Sequence, residues 1–171
     1  NVPLVRNLTR DGLLRMDPEI AHTATINALR LGFAPDQGDP DPPELRTTLC
    51  GLDFSNPVGM AAGFDKNGEV PKPLARMGFG MVEVGTVTPR PQRGNDKPRL
   101  FRIPEAEGVI NRMGFNNDGH EAVFARLKGA HVGAILGVNI GANKTSEDFV
   151  ADYVAGVIRF AEVADYLTIN I

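Results

Sequence analysis

The chain has 171 residues, 42% of them hydrophobic, and a formal net charge of −3, enough for one domain and without the basic footprint that nucleic acid demands. No apolar run approaches the ~20 residues that span a bilayer, and no signal-peptide core stands near the start. The single Cys50 rules out an internal disulfide framework and fits a reducing compartment, and His22, His120 and His131 lack metal-ligand spacing, so no metal is expected.

Residues 1 to about 33 read as helical. Val2, Leu4, Val5, Leu8, Leu13 and Leu14 interleave with Arg6, Arg10 and Arg15. Asp17-Pro18-Glu19 is a helix start: an N-cap aspartate, proline at the first helical position and an acid in the first turn. Ile20, Ala24, Ala28 and Leu31 then recur at helical spacing. Residues 34 to 45 are rich in proline and aspartate and read as a linker. The expected division is therefore a helical segment with its linker over 1–45 and an α/β domain over 46–171.

After the linker, strands and helices alternate. Thr47 to Phe54 predicts a short hairpin turning near Cys50-Gly51, with Cys50 expected as a small buried residue. Pro57 to Ala62 predicts a strand, and Glu69 to Met77 a helix that Pro71 and Pro73 confine to its later turns. Met81 to Gly85 predicts a strand. Beyond a proline-rich stretch from Thr86 to Pro98, Leu100–Ile103 and Gly108–Arg112 predict a second hairpin. Asp118 to Leu127 predicts a helix, and Ala134 to Ile140 a strand. Ser146 is the expected cap of a helix running to Ala164, with Val150, Val154, Val157, Ile158 and Ala161 on its buried face. Tyr166 to Ile171 predicts the last strand. Such alternation implies a parallel sheet, either part of a (β/α)8 barrel or of an open doubly wound sheet. No G-x-G-x-x-G follows a strand, which counts against a dinucleotide fold. The closing run carries no turn signal and no following helix. The expectation is therefore the front part of a larger enzyme, about four β/α units with a site only partly present.

In α/β folds, ligands sit beyond the C-terminal ends of the strands. The first strand delivers Ala61-Ala62-Gly63-Phe64-Asp65-Lys66, the second Gly85-Thr86, the second hairpin Asn111 through Asn116, the third Asn139 and the fourth Asn170. Ala61-Ala62-Gly63 lets a flat ligand approach the backbone, or makes a tight strand exit. Lys66 offers a point positive charge to a carboxylate or an anionic ring, or is a solvated lysine. Asn139 and Asn170 end two successive apolar strands with amides that must find partners, either a heterocycle bearing C=O and N–H or a neighbouring loop. Glu83, inside a strand, needs a partner and reads as structural, below the pocket. No Ser–His–Asp set, acid pair or metal cluster emerges. A rim of amides, backbone and one lysine suits a planar heterocycle whose cofactor carries the chemistry.

At these residues the chain resembles the dihydroorotate dehydrogenase family in its quinone-linked, membrane-associated class. The matching segments are 56–68, 77–80, 83–92, 98–104, 110–116 and 137–145, together with Asp17 to His22. The resemblance implies an FMN-bearing (β/α)8 barrel that oxidises dihydroorotate to orotate in pyrimidine biosynthesis and passes the electrons to a quinone. It implies FMN contacts from Ala62, Gly63, Phe64, Asp65, Lys66, Thr86, Asn139 and Asn170. Substrate contacts would come from Lys66, Asn111, Arg112, Met113, Gly114, Phe115 and Asn170, and quinone-side positions from His22 and Arg102. The N-terminal residues resemble the helical pair of the quinone entrance, with Leu and Val interleaved with Arg as in an interfacial helix. A peripheral protein on the cytoplasmic side of a cell membrane is the matching expectation, against the alternative of a helical cap packed on the barrel.

In that family and class the general base is a serine expected just beyond Ile171, so no catalytic residue is expected within the chain. An open half-barrel exposing about ten Val, Ile and Leu side chains forfeits roughly 15–30 kcal/mol, more than the about 5–15 kcal/mol stability of a domain. The 171 residues alone are therefore expected to be poorly folded or associated, and inactive. The competing readings are another FMN barrel acting on pyrimidines, of the soluble class, and a half-barrel that binds without turnover.

Overall fold

The structure is a computed structural model that describes residues 10–171. The expectations for Val2, Leu4, Val5, Arg6 and Leu8 lie outside the described residues. Residues 10–15 are helical, followed by α1 (Pro18–Arg30), where the Asp17 carboxylate accepts from the amides of Glu19 and Ile20, each at 3.0 Å. Asp17 thus satisfies two donors that every helix start leaves unpaired.

A four-stranded parallel sheet forms the centre, in the order β3 (Gly59–Met60), β4 (Met81–Val87), β7 (Ile135–Ile140), β8 (Tyr166–Ile169). Register pairs Val82 with Leu136 and Val84 with Val138, and Gly137 with Tyr166 across the next interface. Two antiparallel hairpins flank it: β1 (Thr47–Leu49) with β2 (Leu52–Phe54), and β5 (Leu100–Ile103) with β6 (Gly108–Asn111). The crossovers carry α2 (Pro71–Arg76), α3 (Gly119–Leu127) and α4 (Phe149–Phe160).

The core lies between the sheet and these helices, built on Val82, Val84, Val138 and Ile140 with Leu74, Val123, Leu127 and Phe160. Ile26 and Leu29 of α1 belong to the same cluster, and α1 packs against β5 and α2, so the N-terminal helix is joined to the core rather than detached from it.

Several expected elements differ. The first strand contracts from 57–62 to Gly59–Met60, because the chain leaves the ladder at Ala61 to wrap the cavity described below. The second extends past Gly85 to Val87, with a register irregularity between Gly85 and Val87. Cys50 is exposed, since it sits at the tip of the first hairpin with φ +52°. In α1 the buried residues are Ala21, Ile26 and Leu29, while Ile20 and Leu31 face outward.

The last helix differs most. Its cap is Asp148, whose carboxylate accepts from Ala151 N at 3.0 Å, while the Ser146 hydroxyl donates to the Asp148 carbonyl. The helix ends at Phe160 rather than Ala164. Val150 and Ile158, expected inside, are 70% and 74% exposed, and Val154, Val157 and Ala161 are also exposed. The buried residues are Gly156 and Phe160. A Cβ on Gly156 would lie 3.0 Å from Ile140, so the absent side chain lets this helix sit directly on β7.

Candidate functional site

The strand ends on the C-terminal side open into one cavity of about 820 Å³. Its floor is built from β4, β7 and β8, its side from the exit of β3, and its opposite wall from the segment that follows β6. Each region contributes what its local structure leaves available.

The β3 exit supplies Ala61, Ala62, Gly63 and Phe64. Gly63 has φ +102° and open space where a Cβ would stand, and its amide donates to the Gly85 carbonyl at 2.8 Å. A bare backbone surface results, the form a flat ring needs for close approach. Gly85 has φ +109°, and a Cβ there would lie 2.4 Å from the Asn139 carbonyl oxygen. Only glycine lets β4 and β7 stay paired at that point.

Lys66 lines the cavity and donates from Nζ to the Gly63 carbonyl at 2.5 Å. Burial pulls its pKa below the ordinary lysine value, with Glu19 acting the other way. His22 reaches the same wall from α1, its Nε2 2.6 Å from the Phe64 carbonyl and its ring edge-on to Phe64. Burial, and then the Lys66 ammonium, push its pKa down. A neutral His22 therefore donates Nε2–H to that carbonyl.

The floor is a hydrogen-bonded row of amides. The Thr86 hydroxyl donates to Asn139 Oδ1 at 2.6 Å, and Asn170 Nδ2 donates to Thr86 Oγ1 at 2.9 Å. Asn139 Nδ2 donates to Glu83 at 2.8 Å. Glu83, expected below the pocket as a structural group, is indeed paired but also lies on the cavity wall.

The opposite wall is Asn111 through Asn116, with Phe115 at φ +52°. Arg112 is turned back on its loop, donating from Nε and Nη2 to the Pro98 carbonyl. Asn116 Oδ1 is buried without a hydrogen-bond partner. The segment is held by a buried polar knot beneath it. Asn117 bonds Thr88 and the Phe115 carbonyl, and Asn143 Nδ2 bonds Thr88, the Arg90 carbonyl and Gln92.

Of the expected site residues, Ala62, Gly63, Phe64, Lys66, Thr86, Asn139, Asn170, His22 and Asn111 through Phe115 converge on this one cavity. Asp65 and Arg102 are not on its wall. The Asp65 carboxylate is buried and accepts from the amides of Glu69 and Val70 at 2.9 and 2.8 Å; burial holds its pKa above the carboxylate range. It anchors the approach to α2. Arg102 donates to the carbonyls of Leu13, Leu14 and Met16, tying β5 to the end of the helical residues 10–15.

Sequence reasoning did not find Glu19 or Asn95 as wall residues. Glu19 reads locally as a first-turn helix acid. In the fold it meets Arg99, 80 residues away, and Lys97. The Arg99 bond holds its pKa below the carboxylate range. Nothing local to either residue signals that pairing.

The donor set fits a planar heterocycle. It offers glycine and alanine backbone on one side, amide groups below, one ammonium at the edge and the loop from Asn111 opposite. Among the described residues no group of His, Cys, Asp and Glu could hold a metal ion.

The family model described as Dihydroorotate dehydrogenase matches residues 44–171. The chain is similar to "Dihydroorotate dehydrogenase (quinone)" of Rhizobium johnstonii, with 59% identity over 97% of this chain and 46% of that protein. The protein of the same description from Rhizobium meliloti is 58% identical over 98% of this chain and 46% of its own length. Among solved structures, DHODH from Eimeria tenella in complex with ferulenol is 45% identical with a TM-score of 0.86, covering 93% of this chain and 46% of that one. The ligand-free form superposes with a TM-score of 0.85. The chain thus spans about half the length of the relatives it matches. Its fold is that of the (β/α)8 barrel, with about the first four β/α units and an N-terminal helical segment present.

Proposed function

The chain belongs to the dihydroorotate dehydrogenase family, and from that we propose that its cavity is the pyrimidine- and flavin-binding part of a quinone-linked enzyme oxidising dihydroorotate to orotate in pyrimidine biosynthesis. The observation that carries this is the convergence of Lys66, Asn111, Asn139 and Asn170 on one wall-to-wall cavity. The family is flavin-dependent, and FMN is the form we assign. Ala62, Gly63, Phe64, Lys66, Thr86, Asn139 and Asn170 would hold it. Bound flavin supplies the two-electron acceptor chemistry that removal of hydride from a saturated ring carbon requires.

The chain's own residues bind and orient. A dihydropyrimidine edge alternates C=O and N–H, and amide side chains complement both. Asn111 and the loop through Phe115 form one clamp, and Asn170 faces them from the floor. Lys66 brings the single positive charge that a ring carboxylate needs, and its partial burial strengthens that attraction relative to water. Holding the ring in one orientation beside its hydride acceptor turns an encounter into a unimolecular step.

The quinone side is assigned to the N-terminal region. Residues 1–45 would form the helical quinone and membrane segment, and 46–171 the first half of the FMN barrel. Leu14, Ile20, Phe101, Val109 and Ile110 are exposed, and the Arg102 bonds bring the second hairpin beside residues 13–16. An apolar surface of that kind suits peripheral attachment to a membrane, on the cytoplasmic side. Among the described residues no helix is long and apolar enough to cross a bilayer. His22, on the cavity wall, and Arg102, on the hairpin, are the residues proposed to face the quinone.

The test is spectroscopic. The complete enzyme of which these residues form part should purify yellow, bleach on addition of dihydroorotate and recover its colour with a quinone, whereas residues 1–171 alone should not turn over. Lys66→Ala should weaken orotate binding at least tenfold. A colourless protein that takes up neither FMN nor orotate sinks the proposal, and bleaching by other dihydropyrimidines in preference to dihydroorotate reassigns the substrate.

A further inference from the structure

Glu83 stands on the wall of the amide cavity without a cation: among the described residues its carboxylate is met only by uncharged donors. Asn139 Nδ2 donates to Oε1 at 2.8 Å, and Tyr166 OH and Thr168 Oγ1 donate to Oε2 at 2.9 and 3.1 Å. Burial, and then the adjacent carboxylate, keep the Tyr166 phenol protonated, so it remains a donor.

An ionised carboxylate can only accept. That restriction propagates. Asn139 must turn its NH2 toward Glu83, which leaves Oδ1 on the other side to accept from the Thr86 hydroxyl at 2.6 Å and from Asn170 Nδ2 at 3.3 Å. With its proton committed to Asn139, Thr86 can only accept from Asn170, at 2.9 Å. The Asn170 NH2 is then the end turned toward Thr86 and Asn139, and its Oδ1 is the end turned the other way. Every link has a single allowed polarity, and the polarity begins at Glu83.

We propose that Glu83 is a positioning residue whose carboxylate sets the direction of the Glu83–Asn139–Thr86–Asn170 chain, so that Asn170 presents a carbonyl oxygen to the bound ring and selects a ring edge with N–H at that point. This rests on the pyrimidine-binding reading and adds to it the residue that decides which pyrimidine edge is accepted. Glu83 touches no ligand in this account; it acts through Asn139.

Glu83→Gln tests the direction itself. Tyr166 and Thr168 still donate, so the carbonyl of the introduced glutamine turns to them and its NH2 turns to Asn139. Asn139 must then invert, Thr86 must donate to Asn170, and Asn170 must turn its NH2 into the cavity.

The expected result is an orotate dissociation constant about tenfold higher in E83Q, the loss of roughly one net hydrogen bond, read from the flavin absorbance change on titration. Melting temperature stays near wild type. Neutron diffraction should show Asn139 deuterons facing Glu83 in the wild type and an inverted amide in E83Q. Wild-type affinity in E83Q overturns the proposal. So does a loss that tracks a fall in melting temperature, since that is packing alone. If E83Q does not fold, the wild-type neutron map decides, and amide oxygen facing Glu83 refutes the scheme. A wild-type protein that binds neither flavin nor orotate defeats the functional reading instead, and the same neutron map still judges the network.

Discussion

Strand β7 and helix α4 are neighbours in sequence and both are strongly apolar, yet they bury their side chains by different rules. In β7 every residue from Leu136 to Ile140 is buried. In α4 Phe160 is fully buried while Ile158, two positions away, is 74% exposed. A central parallel strand is covered on both faces, so its apolar content is also its burial. A surface helix buries one face only, and the sheet beneath it chooses which. Here Gly156 and Phe160 sit on β7, and the same face carries Asp152, which accepts from the Asn143 amide, and Tyr153, whose hydroxyl donates to the Asn170 carbonyl. The side of α4 turned to the sheet is therefore the one that pins the site loops, and its most apolar side is turned away.

The largest expected effect tests this contrast within one helix. Phe160→Ala should cost about 3–5 kcal/mol, whereas Ile158→Ala should stay within about 0.5 kcal/mol, both read from denaturant unfolding. Equal costs would mean that the helix is rotated from the orientation described. Next, Gly137→Ala would place a Cβ 2.2 Å from the Tyr166 ring. A cost of about 1–3 kcal/mol is expected, together with weaker orotate binding, because Tyr166 bonds Glu83.

The cap assignment gives a smaller difference. Asp148→Ala should lose about 1 kcal/mol, and Ser146→Ala almost nothing; the reverse order would return the helix start to Ser146. The smallest effect is a slope against pH. The His120 pKa is pushed below 6.5 mainly by burial, so the folded state binds its proton less readily than the unfolded chain. Its contribution is complete above pH 6.5 and falls as pH drops toward the folded value. Glu19, held low by Arg99, loses its contribution below the range of its ordinary value of 4.5. His120→Gln should flatten the first part of the acid limb and Glu19→Gln the second, as followed by melting temperature. Unchanged slopes in both variants would remove the assignments.

The strands were legible because a buried strand writes its environment as a continuous apolar run, and the amides at the ends of β7 and β8 stood out against that run. The glycine and alanine exit of β3 and the loop from Asn111 were legible for the related reason that bare backbone and clustered amides have few structural uses. Helix faces were not. Ile20, Leu31 and the apolar stripe of α4 carry periodicity, but periodicity gives the spacing of a face and not the surface it meets. Cys50 was misjudged because composition assigns cysteine inward, whereas the hairpin turn places position 50 at an exposed tip. The long-range pairs, Glu19 with Arg99 and Glu83 with Asn139, leave no local trace.

The order of strands and helices, the amide-lined mouth and the kinship with an orotate-forming family follow from the order of residues alone, because short-range pattern and motif are properties of the chain. The polarity of the amide row, the neutral state of His22 and the face that α4 turns to the sheet belong to the tertiary structure. Each depends on which donor, acceptor or surface comes to stand opposite, and residues far apart in the chain are brought opposite one another only by folding.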